Sequence, residues 1–126
     1  MFSVKRIYAP FDPSDGHRVL VDRLWPRGLR KDAARIEEWL KEIAPSPGLR
    51  RWYDHRIERW PEFVARYRSE LASEERAADL QRLAKLGHRA KVTLLFAARD
   101  EEHNSAVVLC DVLRGHGRLR ARADLC

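Results

Sequence analysis

The chain is poor in cysteine: Cys110 and Cys126 are its only two in 126 residues. Cys110 falls in an apolar helical pattern and Cys126 ends the sequence, so no disulfide framework is expected. Long apolar runs are also missing. The longest, Val92 to Ala98, is far short of the ~20 residues that cross a bilayer. The opening Met1-Phe2-Ser3-Val4-Lys5-Arg6 reaches charge before an apolar signal core can form, which points to a cytoplasmic protein with no membrane partner. Walker loop, dinucleotide fingerprint and nucleophile elbow are all absent, so no motif names a cofactor. No repeat, low-complexity stretch or linker divides the chain. One domain is expected over 1–117, followed by a basic tail at 118–126 that should fray.

What is present is ordinary globular composition, with enough length to bury roughly two thirds of the unfolded surface in one core. The formal charge is +6, and 25 residues are basic against 19 acidic. Most of the bases are arginine, whose planar fork suits phosphate and carboxylate, although the same bias follows from genome composition alone. A moderate basic excess favours anionic partners in general and selects none.

Hydrophobic spacing predicts an α/β protein. Val4 to Tyr8 reads as a first strand, followed by a turn cluster from Pro10 to Gly16. His17 to Leu24 reads as a second strand, its consecutive Val19-Leu20-Val21 suiting a sheet covered on both faces. Asp32 is a candidate N-cap for a helix carrying Ile36, Trp39, Leu40 and Ile43 at i, i+3, i+4 and i+7. A short helix should start at Ser46-Pro47 and carry Leu49, Trp52 and Tyr53. Trp60, Phe63, Val64, Tyr67 and Leu71 define another helix. Ala77, Leu80, Leu83 and Ala84 define the next, opened by Ser73 and closed by Gly87. Lys91 to Ala98 is a third strand, and Glu102 to Leu113 a last helix too apolar to lie on the surface. The expected architecture is a small three-layer sandwich, a short and mostly parallel sheet of three to four strands with helices on both faces. The second and third strands should be parallel. The first has so short a connection to the second that spacing alone favours an antiparallel pair.

Ligands of open parallel sheets bind beyond the carboxyl ends of the strands. Asp22, Arg23, Trp25, Arg27 and Gly28 follow the second strand, and Arg99, Asp100, His103 and Asn104 follow the third. Together with the start of the last helix, these arginines would suit an anion. Asp22 and Asp100 are the candidate general bases, and His103 a candidate proton shuttle. Trp25 could wall a pocket or simply be core, and Gly28 could allow a chain reversal or close approach to a ligand. The competing reading is structural: Asp100 as N-cap of the last helix, and Asp22 paired with Arg23 or Arg99 to neutralise a strand end. Asp22, Asp100 and His103, even with His17 or His55, show no metal-ligand spacing, so no metal site is expected.

The block His17 to Gly28, with its Val-Asp-Arg-Leu-Trp-Pro-Arg-Gly core, resembles the YeaO-like proteins of the bacterial and archaeal domain-of-unknown-function 488 group. Ala44-Pro45-Ser46, Leu49-Arg50, Val92 to Ala98 and Ala106 to Leu109 extend the resemblance over about residues 4 to 114. It implies a three-layer α/β fold with a parallel first strand, and no established activity. Where longer relatives carry Cys-His-Arg, this chain has His103-Asn104-Ser105, and Ser105 stands where the YeaO-like pattern often has histidine. That departure moves weight toward Asp22, Arg23, Arg27 and Asn104. The expectation is a protein that binds or acts on a small phosphate- or carboxylate-bearing ligand at the C-terminal edge of the sheet. The alternatives are a nucleic-acid-associated regulator, disfavoured because no helix-turn-helix or aromatic RNA-binding signature is visible, or a non-catalytic protein-interaction module.

Overall fold

The computed structural model describes residues 1–125, with side chains described through Gly115. Four strands, β1 (Phe2–Arg6), β2 (His17–Leu20), β3 (Glu38–Trp39) and β4 (Val92–Phe96), form one sheet in the order β1-β4-β2-β3. Every pairing is parallel. Among the described residues five α-helices accompany it: α1 (Lys31–Ala34), α2 (Pro47–Tyr53), α3 (Trp60–Leu71), α4 (Glu74–Arg89) and α5 (Ser105–Leu125). The expected α/β sandwich is the fold found. The first strand is parallel because it never pairs with the second; β4 lies between them, in register with both. Among the described residues, no helix is long and apolar enough to cross a membrane. The side chains of the basic tail read at 118–126 lie outside the described residues.

Strand alternation sends side chains to two unequal cores. Val19, Val21, Leu94 and Phe96 join Phe63, Tyr67, Leu71, Leu83 and Leu109 in the larger one, beneath α2 to α5. Each fully buried side chain of this kind contributes about 1.5–3 kcal/mol. Ile7, Leu20 and Leu95 face the other way, against Trp25, Leu29, Ile36 and Trp39. This second layer is thin, made of α1 and the loop around it. A buried polar network anchors it. Arg18, 2% exposed, donates to Asp15 and to the carbonyls of Ala34 and Arg35, while Lys5 reaches Asp15 at 3.0 Å.

The helix expected over Ile36 to Ile43 does not form. Arg35 takes a left-handed conformation (φ 49°) that ends α1, and the chain then runs along β2, with Glu37 and Leu40 N–H bonded to the carbonyls of Arg18 and Leu20. Ile36 and Trp39 pack in the small core, Leu40 and Ile43 in the large one. The helical spacing arises from two faces of a sheet edge. Asp32 sits within α1 rather than capping a longer helix, whose N-cap position is Arg30. Gly87 does not close α4, which continues to Arg89; the Phe2 ring lies where a Gly87 Cβ would be, so the glycine is a packing site. β2 is shorter than expected because beyond Val21 its ladder passes to a side chain, the Ala97 N–H donating to Asp22 Oδ2 at 2.9 Å. α5 starts at Ser105 instead of Glu102. Its cap is Asn104, whose Oδ1 accepts from the Val107 N–H at 3.0 Å.

Candidate functional site

An open cleft of about 1050 Å³ lies beyond the carboxyl ends of β2 and β4. Asp22, Arg23, Trp25 and Arg27 line it from the β2 side; Arg99, Asp100, His103 and Asn104 line it from the β4 side. Eight of the nine residues singled out from the sequence thus converge. Gly28 does not reach the cleft. Its φ of 75° makes it the reversal that turns the chain away, and nothing approaches its Cβ position. Arg6, Tyr8, Arg50, Tyr53, His55 and Phe63 also line the cleft and were not foreseen. Arg50 stands in the Leu49-Arg50 pair of the family pattern, which was its one available signal. The others reach the cleft from β1, α2 and α3 only through tertiary packing.

The two candidate bases occupy opposite environments. Asp22 is half-buried. Burial pushes its carboxyl above the usual carboxylate range, against the opposing pull of the Ala97 N–H and the Arg50 charge. Trp39 Nε1 donates to the Asp22 carbonyl at 2.7 Å, so backbone and carboxylate are both held. Asp22 Oδ1 has no protein partner among the described residues, and no ion pair joins Asp22 to Arg23 or Arg99. The ion-paired strand end of the competing reading is therefore not what forms.

Asp100 is a loop builder. Its Oδ1 accepts from the N–H groups of Glu102 and His103 at 2.9 and 3.0 Å, and these hold its carboxyl below the usual range. It caps that loop rather than α5. The same carboxylate meets His103 Nδ1 at 3.0 Å, and the His103 ring stands edge-on to Trp60 at 5.2 Å. The carboxylate and the Trp60 ring together hold the imidazole at the cleft wall. Asn104 is 4% exposed and spends both ends of its amide, on Val107 N–H and the Asp100 carbonyl. It shapes the α5 entry.

The arginines sort the same way. Arg23 donates to the carbonyls of Pro45 and Ala44, each at 3.3 Å, and lies 3.8 Å from Glu42. Arg6 donates to the carbonyls of Ala98 and Ala97. Arg27, Arg50 and Arg99 are exposed and have no carboxylate within ion-pair distance among the described residues. Trp25 belongs to both worlds: its indole N–H is bonded to the Leu29 carbonyl and its ring packs edge-on against Trp39, while one side borders the cleft. His55, at the cleft edge, follows Asp54 in a left-handed pair (φ 46° and 53°) just past α2. Among the described residues no group of three or more metal-binding side chains converges.

Sheet, layers and cleft together define a small α/β protein with an arginine-rich recess at the C-terminal edge of an all-parallel sheet. A family profile described as the "Inactive DUF488-N3 subclade" matches residues 1–124, and the chain belongs to that family. It is similar to an uncharacterised protein of Mycobacterium tuberculosis, Rv3073c, at 47% identity over 89% of this chain and 92% of that one. It is also similar to the uncharacterised YeaO of Escherichia coli, at 43% identity over 87% and 94%. No solved structure matches the chain.

Proposed function

We propose that this protein binds a small anionic ligand, phosphate- or carboxylate-bearing, in the strand-end cleft without chemical turnover. The observation that carries the reading is the division of the cleft arginines. Arg6 and Arg23 are spent on backbone carbonyls, whereas Arg27, Arg50 and Arg99 line the same recess with no carboxylate within ion-pair distance among the described residues. Guanidinium groups gathered over a partly apolar hollow form strong, charge-assisted bonds to an entering anion. Their concave placement favours a small ligand over a nucleic-acid duplex, which needs cations spread across an accessible face. The family description as an inactive subclade supports binding rather than catalysis, as does the locked, acid-shifted Asp100. Thermal unfolding in low-salt buffer against inorganic phosphate, phosphate esters and small carboxylates tests the proposal. A concentration-dependent rise in melting temperature with at least one of these is the expected result; a flat response to all of them refutes it.

A further inference from the structure

The lining of the cleft is not purely cationic, and one acidic member stands out. Asp22 lines the cleft where β2 gives way to its following loop, with Oδ2 fixed by the Ala97 N–H and Oδ1 left without a protein partner among the described residues. Arg50 faces it from α2. It is near enough for its charge to favour the carboxylate, yet no ion pair forms between them. Both residues line the cleft, so a ligand group that donates to Asp22 and accepts from Arg50 would satisfy both. A hydroxyl does both. A bare anion at that point meets a carboxylate and is repelled. The size of the recess, about 1050 Å³, likewise suits an organic ligand rather than a lone oxyanion.

Resting on the anion-binding reading above, we propose that the ligand is a hydroxyl-bearing phosphate ester, with its phosphate at Arg27 and Arg99 and a hydroxyl bridging Asp22 Oδ1 and Arg50. Asp22 is then the specificity-determining residue. It turns away anions that cannot donate and holds those that can.

The test is calorimetric titration of a matched pair, glycerol phosphate and propyl phosphate, which differ in their hydroxyl groups. A hydrogen bond to a charged group sets the scale, so the wild-type protein should prefer glycerol phosphate by about tenfold or more. Asp22→Asn should reduce that preference to less than about threefold, because Ala97 N–H needs the amide oxygen and the amide NH₂ then faces the cleft where an acceptor stood. Propyl phosphate should bind the variant more tightly than it binds the wild type, since the repulsion is gone. Equal binding of the two esters by the wild type overturns the proposal, and so does an unchanged preference in Asp22→Asn. The wild-type comparison decides even if the variant does not fold. Failure of both esters to bind overturns the proposal, and failure of inorganic phosphate and small carboxylates as well overturns the anion-binding reading itself. Ribose phosphate against adenosine monophosphate then tells a sugar phosphate from a nucleotide as the source of the hydroxylated ester.

Discussion

Replacing Arg23 and Arg50 separately by alanine should dissociate stability from binding. Arg23 donates two long bonds, to the carbonyls of Ala44 and Pro45 at 3.3 Å each. Ala44 keeps a second donor when Arg23 is lost, Arg76 Nη2 at 3.0 Å. Pro45, which is buried, does not. One orphaned buried carbonyl plus the lost contact costs about 2 kcal/mol. For a domain of this length that lowers the melting temperature by about 6–10 °C. Arg50 is exposed and bonds to nothing through its side chain among the described residues, so Arg50→Ala should stay within about 0.5 kcal/mol of the parent. On the proposed binding mode, a phosphate ester at a hundredfold excess over its Kd should add about 2.7 kcal/mol to the parent. Removing one charge-assisted bond weakens that Kd tenfold or more, leaving Arg50→Ala no more than about 1.4 kcal/mol of ligand stabilisation. Arg23→Ala should keep most of it from a lower starting point. The assay is thermal unfolding followed by circular dichroism, with and without ester. The reasoning is refuted if Arg50→Ala melts as low as Arg23→Ala without ligand, or if Arg23→Ala alone loses the ligand response.

Two further outcomes follow from the same geometry. Because burial raises the folded-state pKa of Asp22, its contribution to stability is fully present below the unfolded value of about 3.8 and is lost as pH rises through the raised one. Asp22→Asn should therefore gain on the wild type in urea unfolding as pH goes from about 4 to about 7; a gap that is constant across that range contradicts the assignment. Asn104→Ala removes the α5 cap and the bond to the Asp100 carbonyl, and should cost about 1–2 kcal/mol while leaving ester affinity unchanged by titration. A fall in affinity at unchanged stability would make Asn104 a ligand contact instead.

Local signals reached far into this fold. Ser46-Pro47 opens α2 with the serine hydroxyl accepting from the Leu49 N–H, and the apolar stripes of α3 and most of α4 pack where their spacing places them. Periodicity failed where its premise failed. Ile36, Trp39, Leu40 and Ile43 satisfy a helical period only because consecutive pairs serve cores on opposite sides of the sheet. The site followed similar lines. Asp22 and its neighbours were legible because strand ends converge in any parallel sheet, a rule of topology. Arg50 was not, since the approach of α2 to β2 depends on the Arg23 and Arg76 bonds to the Ala44 carbonyl and the Ser46 bonds to Glu70, none of which is local in sequence. The α5 cap falls to Asn104 rather than Asp100 for a smaller reason: the helix starts three residues later than its acidic prelude suggests.

The placement of β4 bears on how the molecule comes into being. β1 and β2 emerge early in synthesis, yet neither pairs with the other, and the strand that joins them is made only after α4. Until Val92 to Phe96 leaves the ribosome, β1 has no partner and β2 has only the two-residue β3. Closing the sheet then brings together segments distant in sequence, a slow kind of contact that leaves apolar edges exposed in the meantime. The Asp22–Ala97 bond forms in that same closure, so the β2 and β4 sides of the cleft meet only then. The sheet and the cleft at its edge are thus completed by the same late pairing.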